Sequence, residues 1–222
     1  MSPLPLVIFD CDGVLVDSER LVQDIDIRMI GGLGWKITRQ EIVEQHLGRS
    51  EAAVMDNIAR RIGRAVPADF VQSRRSAYEQ DFENHLTEVP GVRKAVQELH
   101  GLGHDSCVAS SGSHARMRLT LSKTGLWTVF EGRIFSADDV AHGKPAPDLF
   151  LYAADKMGYQ PRDCVVVEDS PSGVAAARAA GMAVVGYSAL VPANLLEGAT
   201  IVIAEMTDLP EAIEAILGSE ST

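Results

Sequence analysis

Apolar positions divide the chain into two kinds of segment. Residues 4–9, "LPLVIF", form a continuous apolar run that ends abruptly in "DCDG". Such a run is typical of a strand buried on both faces. Between residues 19 and 87 the apolar positions instead recur at helical spacing, as in Leu21, Val22, Ile25, Met29 and Ile30. This spacing predicts about four helices and no strand, with breaks at "GGLG" and "LGRS".

From Pro90 onward the pattern alternates between strands and helices. The predicted strands are "DSCVAS", "GRIFS", "CVVVED", "AVVGY" and "TIVIA", and segments with helical spacing separate or follow them. This alternation predicts an α/β fold with a doubly wound parallel sheet. We therefore expect one domain from residues 1–16 and 88–222, with the helical residues 17–87 inserted as a second domain after the first strand.

Composition and charge limit the class of partner. The chain has 222 residues, 46% of them hydrophobic, and a formal charge of −11. It can bury a sizeable core, and its charge would repel nucleic acid or an anionic membrane. The cysteines at positions 11, 107 and 164 form no CxxC pair, and no signal peptide or membrane-length apolar run is present. We expect a soluble, cytoplasmic, monomeric protein.

Acidic residues follow two of the predicted strands. Asp10 and Asp12 end the first strand, and Glu168 and Asp169 end the strand "CVVV". Ligands of a doubly wound sheet bind at the carboxyl ends of its strands. Carboxylates gathered there would repel one another without a cation, and hard oxygen ligands favour Mg²⁺. The sequence therefore predicts a magnesium site at this edge.

Groups suited to an anion occur at the same edge. Ser110 and Ser111 end the second predicted strand, and Lys144 lies in "GKPAPD" before a predicted helix. Backbone N–H groups at a helix start and a nearby ammonium group both favour a phosphoryl group. One metal, one carboxylate nucleophile and one phosphate-sized anion could share this edge.

Four motifs carry a family resemblance. The segments "DCDGVLVDS", "VASSGS", "GKPAPD" and "VVVEDSPSGV" occur in the order and spacing of the haloacid dehalogenase superfamily. The chain resembles most the helical-cap subgroup that includes β-phosphoglucomutase-like proteins and sugar-phosphate phosphatases. The resemblance covers nearly the whole chain, and it implies a Rossmann-like core with an inserted α-helical cap domain.

The resemblance also implies a role for each site residue. Asp10 matches the nucleophile, and Asp12 matches the acid/base that protonates the leaving alcohol and then activates water. The residues matching the phosphoryl-binding groups are Ser110, Ser111 and Lys144. The residues matching the Mg²⁺ ligands are Asp10, Asp12 through its backbone carbonyl, Asp169, and Glu168 either directly or through water. The activity implied is hydrolysis of a small phosphorylated metabolite, such as a sugar phosphate, sugar-acid phosphate or phosphoglycolate, through an aspartyl-phosphate.

Other activities of related proteins fit the sequence less well. β-Phosphoglucomutases of this subgroup carry a cap histidine five residues beyond the position matching Asp17, where this chain has Val22. Haloacid dehalogenases lack the second aspartate, so Asp12 argues against cleavage of a carbon–halogen bond. Phosphonate hydrolysis needs a Schiff-base lysine in the cap, where Lys36 is the only lysine. A non-catalytic binding protein should have lost a key residue, and none is lost.

The residues that would contact the rest of the substrate are less clear from the sequence. Arg49 follows "HLG" and His114 follows "SSGS", so both are candidates for contact with the substrate. An arginine at a helix start accounts for Arg49 equally well. We expect Lys36, Arg74 and Arg75 to lie on solvated helix faces, because long charged side chains usually do.

Overall fold

The computed structural model describes residues 4–46 and 51–219, which form two compact units. One unit comprises Met1–Asp17 and Thr87–Thr222, and the other comprises Ser18–Leu86. We call them the sheet unit and the helical unit. Within the described ranges, no helix is both long and apolar enough to cross a membrane.

The sheet unit is built on one six-stranded parallel sheet. The strands are β1 (Leu6–Phe9), β2 (Ser106–Ser110), β3 (Ile134–Ser136), β4 (Cys164–Glu168), β5 (Ala183–Tyr187) and β6 (Ile201–Ile203). Their order in the sheet is β3-β2-β1-β4-β5-β6. In the centre, Val7 of β1 is aligned with Ser106 on one side and Val165 on the other. The predicted α/β fold with a parallel sheet is confirmed.

Helices make up most of the remaining described chain. Those of the helical unit are α1 (Ser18–Gly32), α2 (Arg39–Gln45), α3 (Glu51–Ile62) and α4 (Phe70–His85). Those of the sheet unit are α5 (Val92–Leu102), α6 (His114–Lys123), α7 (Trp127–Phe130), α8 (Asp148–Met157), α9 (Pro171–Ala179) and α10 (Leu209–Ser219). The prediction of about four helices between residues 19 and 87 is therefore confirmed, whereas the short α7 was not predicted.

Both faces of the sheet are covered, which explains the continuous apolar run of β1. Leu6 and Ile8 belong to a cluster that includes Phe150 of α8. Phe9 makes an edge contact with Phe130 of α7, with ring centroids 5.9 Å apart. All four β1 side chains are fully buried. A central parallel strand that packs on both faces needs apolar side chains at every position.

A buried ion pair joins two helices of the helical unit. Arg74 of α4 donates from Nε to Asp26 Oδ1 at 2.7 Å and from Nη2 to Oδ2 at 2.8 Å, and Tyr78 also donates to Oδ1. The Asp26 and Arg74 side chains are only 3% and 14% exposed. The prediction that Arg74 lies on a solvated helix face is therefore wrong, because a buried carboxylate on α1 binds it in a bidentate pair. Arg75 and Lys36 are exposed as predicted.

We expect Arg74→Met to destabilise the helical unit by about 3 kcal/mol, because Asp26 would remain buried without its charged partner. Arg75→Met is the matched control, since Arg75 is the neighbouring residue on α4 and is exposed. Denaturant unfolding followed by circular dichroism measures both changes. Equal free energies of unfolding for the two variants would show that the pair does not stabilise the unit.

Candidate active site

The carboxyl ends of three neighbouring strands bring the predicted site residues to one edge of the sheet. Asp10 follows β1, and its backbone N–H donates to Val167 O of β4 at 3.0 Å. Ser110 is the last residue of β2, and Glu168 is the last residue of β4. Since β1 lies between β2 and β4, the ends of all three strands are adjacent.

Lys144 connects these strand ends. Its Nζ donates to Asp10 Oδ1 at 2.6 Å, to Glu168 Oε1 at 2.7 Å and to Ala109 O at 3.1 Å. The Lys144 side chain is only 3% exposed. Burial alone would lower the pKa of Lys144, but the two neighbouring carboxylates outweigh it and hold the pKa above its usual value. The ammonium group is therefore a fixed positive charge inside the site.

Asp10 lies in a buried environment that disfavours its charged form. Burial raises the pKa of Asp10 to about 7. Lys144 opposes this shift, whereas the charges of Glu168 and Asp12 add to it. Bringing another cation to this edge would favour the ionised carboxylate.

Protein donors already engage both carboxylate oxygens of Glu168. Its Oε1 accepts from Lys144, and its Oε2 accepts from Ser170 N at 2.8 Å and Ser170 Oγ at 2.9 Å. Ser170 also caps α9 by accepting from Gly173 N at 3.0 Å. A Cβ atom on Gly173 would lie 1.8 Å from Glu168 Oε1, so only glycine leaves room for this carboxylate. Glu168 is therefore held between Lys144 and the start of α9.

Asp169 lies against the turn that follows β1. A Cβ atom on Gly13 would be 2.0 Å from Asp169 Oδ2, and Gly13 has a φ of +81°. Both the space and the backbone conformation therefore require glycine at this position. The turn is closed by hydrogen bonds from Leu15 N and Val16 N to Cys11 O. The turn brings the backbone of Gly13, the residue after Asp12, against the Asp169 carboxylate.

These residues also allow a test of whether a metal fits. Among the described residues, no group of three or more His, Cys, Asp or Glu side chains is arranged to enclose an ion. Mg²⁺, however, usually takes only one or two carboxylates and completes its shell with other oxygens, including water. Asp10, Asp169 and the backbone carbonyl of Asp12 are hard oxygen donors of the kind that Mg²⁺ prefers. This donor set fits a divalent cation.

The two predicted phosphate-binding serines lie at the end of β2 and at the start of the loop that follows it. Ser110 is 2% exposed, and its Oγ accepts from Gly112 N at 3.2 Å. Ser111 is exposed. Ser136 fixes the loop from the β3 side by donating from Oγ to Gly112 O at 2.8 Å. These two hydrogen bonds fix the shape of the loop. The loop lies next to Ala109 of β2, whose carbonyl accepts a hydrogen bond from Lys144 Nζ.

Sequence reasoning missed one residue at this edge. Arg116 of α6 donates from Nη2 to Asp12 Oδ1 at 3.1 Å, and its side chain is 45% exposed. Ser113 is the cap of α6 and accepts from Arg116 N. No sequence motif includes Arg116. Its only signal in the sequence is its position two residues after His114, a candidate for substrate contact.

The two tentative substrate contacts have different outcomes. His114 is exposed, and its Nε2 lies 2.9 Å from both carboxylate oxygens of Asp139. Arg49 lies outside the described residues. The prediction that either residue contacts a substrate stays a prediction.

Cys11, between the two key aspartates, is fully buried, and burial raises its pKa well above the usual value, as expected for a core residue.

The helical unit contains a cavity of its own. Its volume is about 290 Å³, and its lining includes Val22, Asp26, His46 and Arg74. Both residues of the buried ion pair are therefore among the lining residues of this cavity. Val22, the position that carries histidine in the mutases, is also one of the lining residues.

Comparisons with known proteins show the family to which the chain belongs. The family model for haloacid dehalogenase-like hydrolases matches residues 7–187. A protein of Drosophila melanogaster, described as a probable pseudouridine-5'-phosphatase, is 32% identical over 183 residues, which are 80% of this chain and 79% of that protein. The 6-phosphogluconate phosphatase of Escherichia coli K12 is 27% identical over 190 residues, 85% of each chain.

A solved structure has the same fold over almost the whole length. It is a conserved haloacid dehalogenase-like protein of unknown function from Agrobacterium tumefaciens, with a TM-score of 0.88 and 33% identity. The similarity covers 97% of this chain and 100% of that one. The chain therefore belongs to the haloacid dehalogenase-like hydrolase family, and it is a phosphoric monoester hydrolase.

Proposed function

We propose that the protein hydrolyses phosphate monoesters of small metabolites through a phosphorylated Asp10, with Mg²⁺ as cofactor. The position of Lys144 is the observation that carries the proposal. Its buried ammonium group lies 2.6 Å from Asp10 and 2.7 Å from Glu168 at the strand edge. A carboxylate can approach an anionic phosphoryl group only where positive charge offsets the repulsion between them.

In the first half of the reaction, an Asp10 oxygen attacks phosphorus and the bond to the leaving oxygen breaks. Asp12 gives its proton to that oxygen, so the product leaves as a neutral alcohol. In the second half, Asp12 takes a proton from water, whose oxygen attacks the phosphorus atom, and the bond between phosphorus and the Asp10 oxygen breaks. Phosphate then leaves, and the carboxylate of Asp10 is restored. Two displacements replace one difficult displacement.

The other site residues support these steps. Lys144 and the Ser110–Ser111 loop bind the oxygens of the phosphoryl group. Asp10, Asp169 and the carbonyl of Asp12 would hold Mg²⁺, which would offset negative charge on the transferred group. We assign Glu168 an indirect role, because its oxygens already bind Lys144 and Ser170. It fixes Lys144 and reaches the metal at most through water.

We propose that the helical unit is the cap domain and limits which alcohols are accepted. In the structure, Asp17 and Thr87 both belong to the sheet unit, so the proposed cap is Ser18–Leu86. The candidate substrates are sugar phosphates, sugar-acid phosphates and phosphoglycolate. The relatives named for phosphatase activity on pseudouridine 5'-phosphate and on 6-phosphogluconate support this range. The cytoplasmic location and the monomeric state stay predictions.

Initial rates of phosphate release with a panel of phosphorylated metabolites and Mg²⁺ test the proposal. The substrate class is the one with the highest kcat/KM. Failure to release phosphate from every member, including a generic aryl phosphate, would contradict the proposed activity.

The mutase alternative makes a different prediction. A mutase must hold its intermediate while the sugar turns over and must keep water from the phosphorylated aspartate. The side chain of Val22 can neither donate a proton nor form a hydrogen bond, so it cannot provide this control. We therefore expect free phosphate to be the main product from any accepted substrate, including β-glucose 1-phosphate supplied with a catalytic amount of the bisphosphate. Glucose 6-phosphate formed much faster than free phosphate would instead indicate a mutase.

A further inference from the structure

A buried aromatic ring lies next to the ammonium group of Lys144. The Lys144 Nζ lies over the ring of Phe150, 4.8 Å from the ring centroid. Phe150 is the third residue of α8 and is fully buried. Both residues belong to the sheet unit. The mechanism above uses Lys144 but gives the ring no task.

The distance and the burial suit a cation–π interaction. The face of an aromatic ring carries partial negative charge and attracts a cation within about 6 Å of the centroid. The attraction is stronger where water is excluded, and both Lys144 and Phe150 have buried side chains. A second pair on α8 shows the contrast, because Lys156 lies 5.2 Å from the Tyr152 ring but is exposed. We expect the buried pair to be the stronger of the two.

The ring holds the ammonium group without occupying a hydrogen-bond donor. An ammonium group has three N–H donors. Those of Lys144 have acceptors in Asp10 Oδ1, Glu168 Oε1 and Ala109 O. A donor that turns to a phosphoryl oxygen must give up one of these acceptors. The contact with the Phe150 ring needs no donor, so it can persist through this exchange.

Phosphorylation of Asp10 makes the ring contact more important. The Asp10 carboxylate becomes an acyl phosphate, so one of the two anionic acceptors of Lys144 no longer carries its own charge. Phe150 packs in a cluster of buried residues that includes Leu6 and Ile8 of β1, and close packing limits its movement. The ring is therefore a fixed neighbour of the ammonium group while its hydrogen bonds change.

We propose that Phe150 is a positioning residue for the reaction. Its ring face holds the Lys144 ammonium group in place by a cation–π interaction while the N–H donors pass from protein acceptors to the phosphoryl group. This inference rests on the proposed function, because it needs Lys144 to bind that group. It goes further by giving an electrostatic role to a residue of the apolar core.

Phenylalanines that carry one, two or three ring fluorines at position 150 test the proposal. Each fluorine withdraws electron density from the ring face and weakens its attraction for a cation, while the ring keeps its shape. We would measure kcat/KM for release of phosphate from an aryl phosphate with Mg²⁺. Its logarithm should fall in even steps with the number of fluorines. The protein with three fluorines should have a kcat/KM about 3- to 30-fold below that of the unmodified protein.

The same fluorine series at Phe130 is the matched control. Phe130 of α7 is also fully buried, and its described contacts include the edge contact with Phe9 but no lysine or arginine. Its kcat/KM should not depend on the number of fluorines. The melting temperatures of both series should lie above the assay temperature, so that only folded protein is compared.

The outcomes separate this inference from the proposed function. If kcat/KM does not depend on the number of fluorines at Phe150, or if it falls equally in the Phe130 series, the ring only fills space and its positioning role is wrong. Phosphate release by the unmodified protein would still support the proposed function in that case. No release from any monoester by the unmodified protein would overturn both.

Discussion

Asp10→Asn is expected to reduce kcat by at least about four orders of magnitude for every substrate. The substitution keeps the size of the side chain but removes the attacking anion. It also leaves Lys144 bound to Glu168, so the site should keep its shape. Rates of phosphate release measure the loss. Acid quenching during turnover of a radiolabelled substrate should leave labelled phosphate on the unmodified protein and none on the variant.

The matched control is Asp155→Asn, because Asp155 is an exposed aspartate on α8 of the same unit. It should retain full activity and label normally. Near-normal turnover by Asp10→Asn with an unchanged melting temperature would mean that another group is the nucleophile.

Removal of divalent metal is expected to abolish turnover, and adding Mg²⁺ should restore it. Among the described residues, Lys144 binds Asp10, and burial still raises the pKa of Asp10 to about 7. An anionic phosphate that enters this edge adds negative charge beside the carboxylates, and a bound divalent cation would offset that charge. We expect Ca²⁺ to inhibit, because it takes more ligands at longer distances and would hold the nucleophile in a poor geometry.

Chelated protein serves as the reference for this experiment, and its melting temperature should show that it remains folded. The same chelator concentration with excess Mg²⁺ controls for other effects of the chelator. A full rate of phosphate release in chelator would rule out the proposed cofactor.

The sheet, and the proximity of several candidate residues at one of its edges, could be predicted because the signals for both are local. A strand buried on both faces must be apolar throughout, and "LPLVIF" and "CVVV" have this property. Parallel strands carry the residues at their carboxyl ends to a common edge, so Asp10, Ser110 and Glu168 could be expected near one another. Lys144 could be assigned to this edge only from its motif, because 134 residues separate it from Asp10 in the sequence.

The features that could not be predicted depend on contacts between distant elements. Arg116 occupies an exposed helix position like that of Arg118, and only the packing of α6 places it against Asp12. The arginines at positions 74 and 75 are neighbours in sequence, yet the first alone reaches the buried Asp26, because α1 and α4 pack in one particular register. The hydrogen bonds of Glu168 with Lys144 and Ser170 could not be predicted either, because they depend on how distant segments pack.

The buried position of Lys144 also governs how the protein responds to chemical labelling. Reagents that acylate amines react with the neutral, accessible form, and Lys144 is both 3% exposed and held protonated by two carboxylates. Its amine is therefore shielded from acetylation and from amine-directed crosslinkers at neutral pH. We therefore expect such reagents to modify the protein at other, exposed amines and to leave the Lys144 ammonium group, which contacts Asp10, intact.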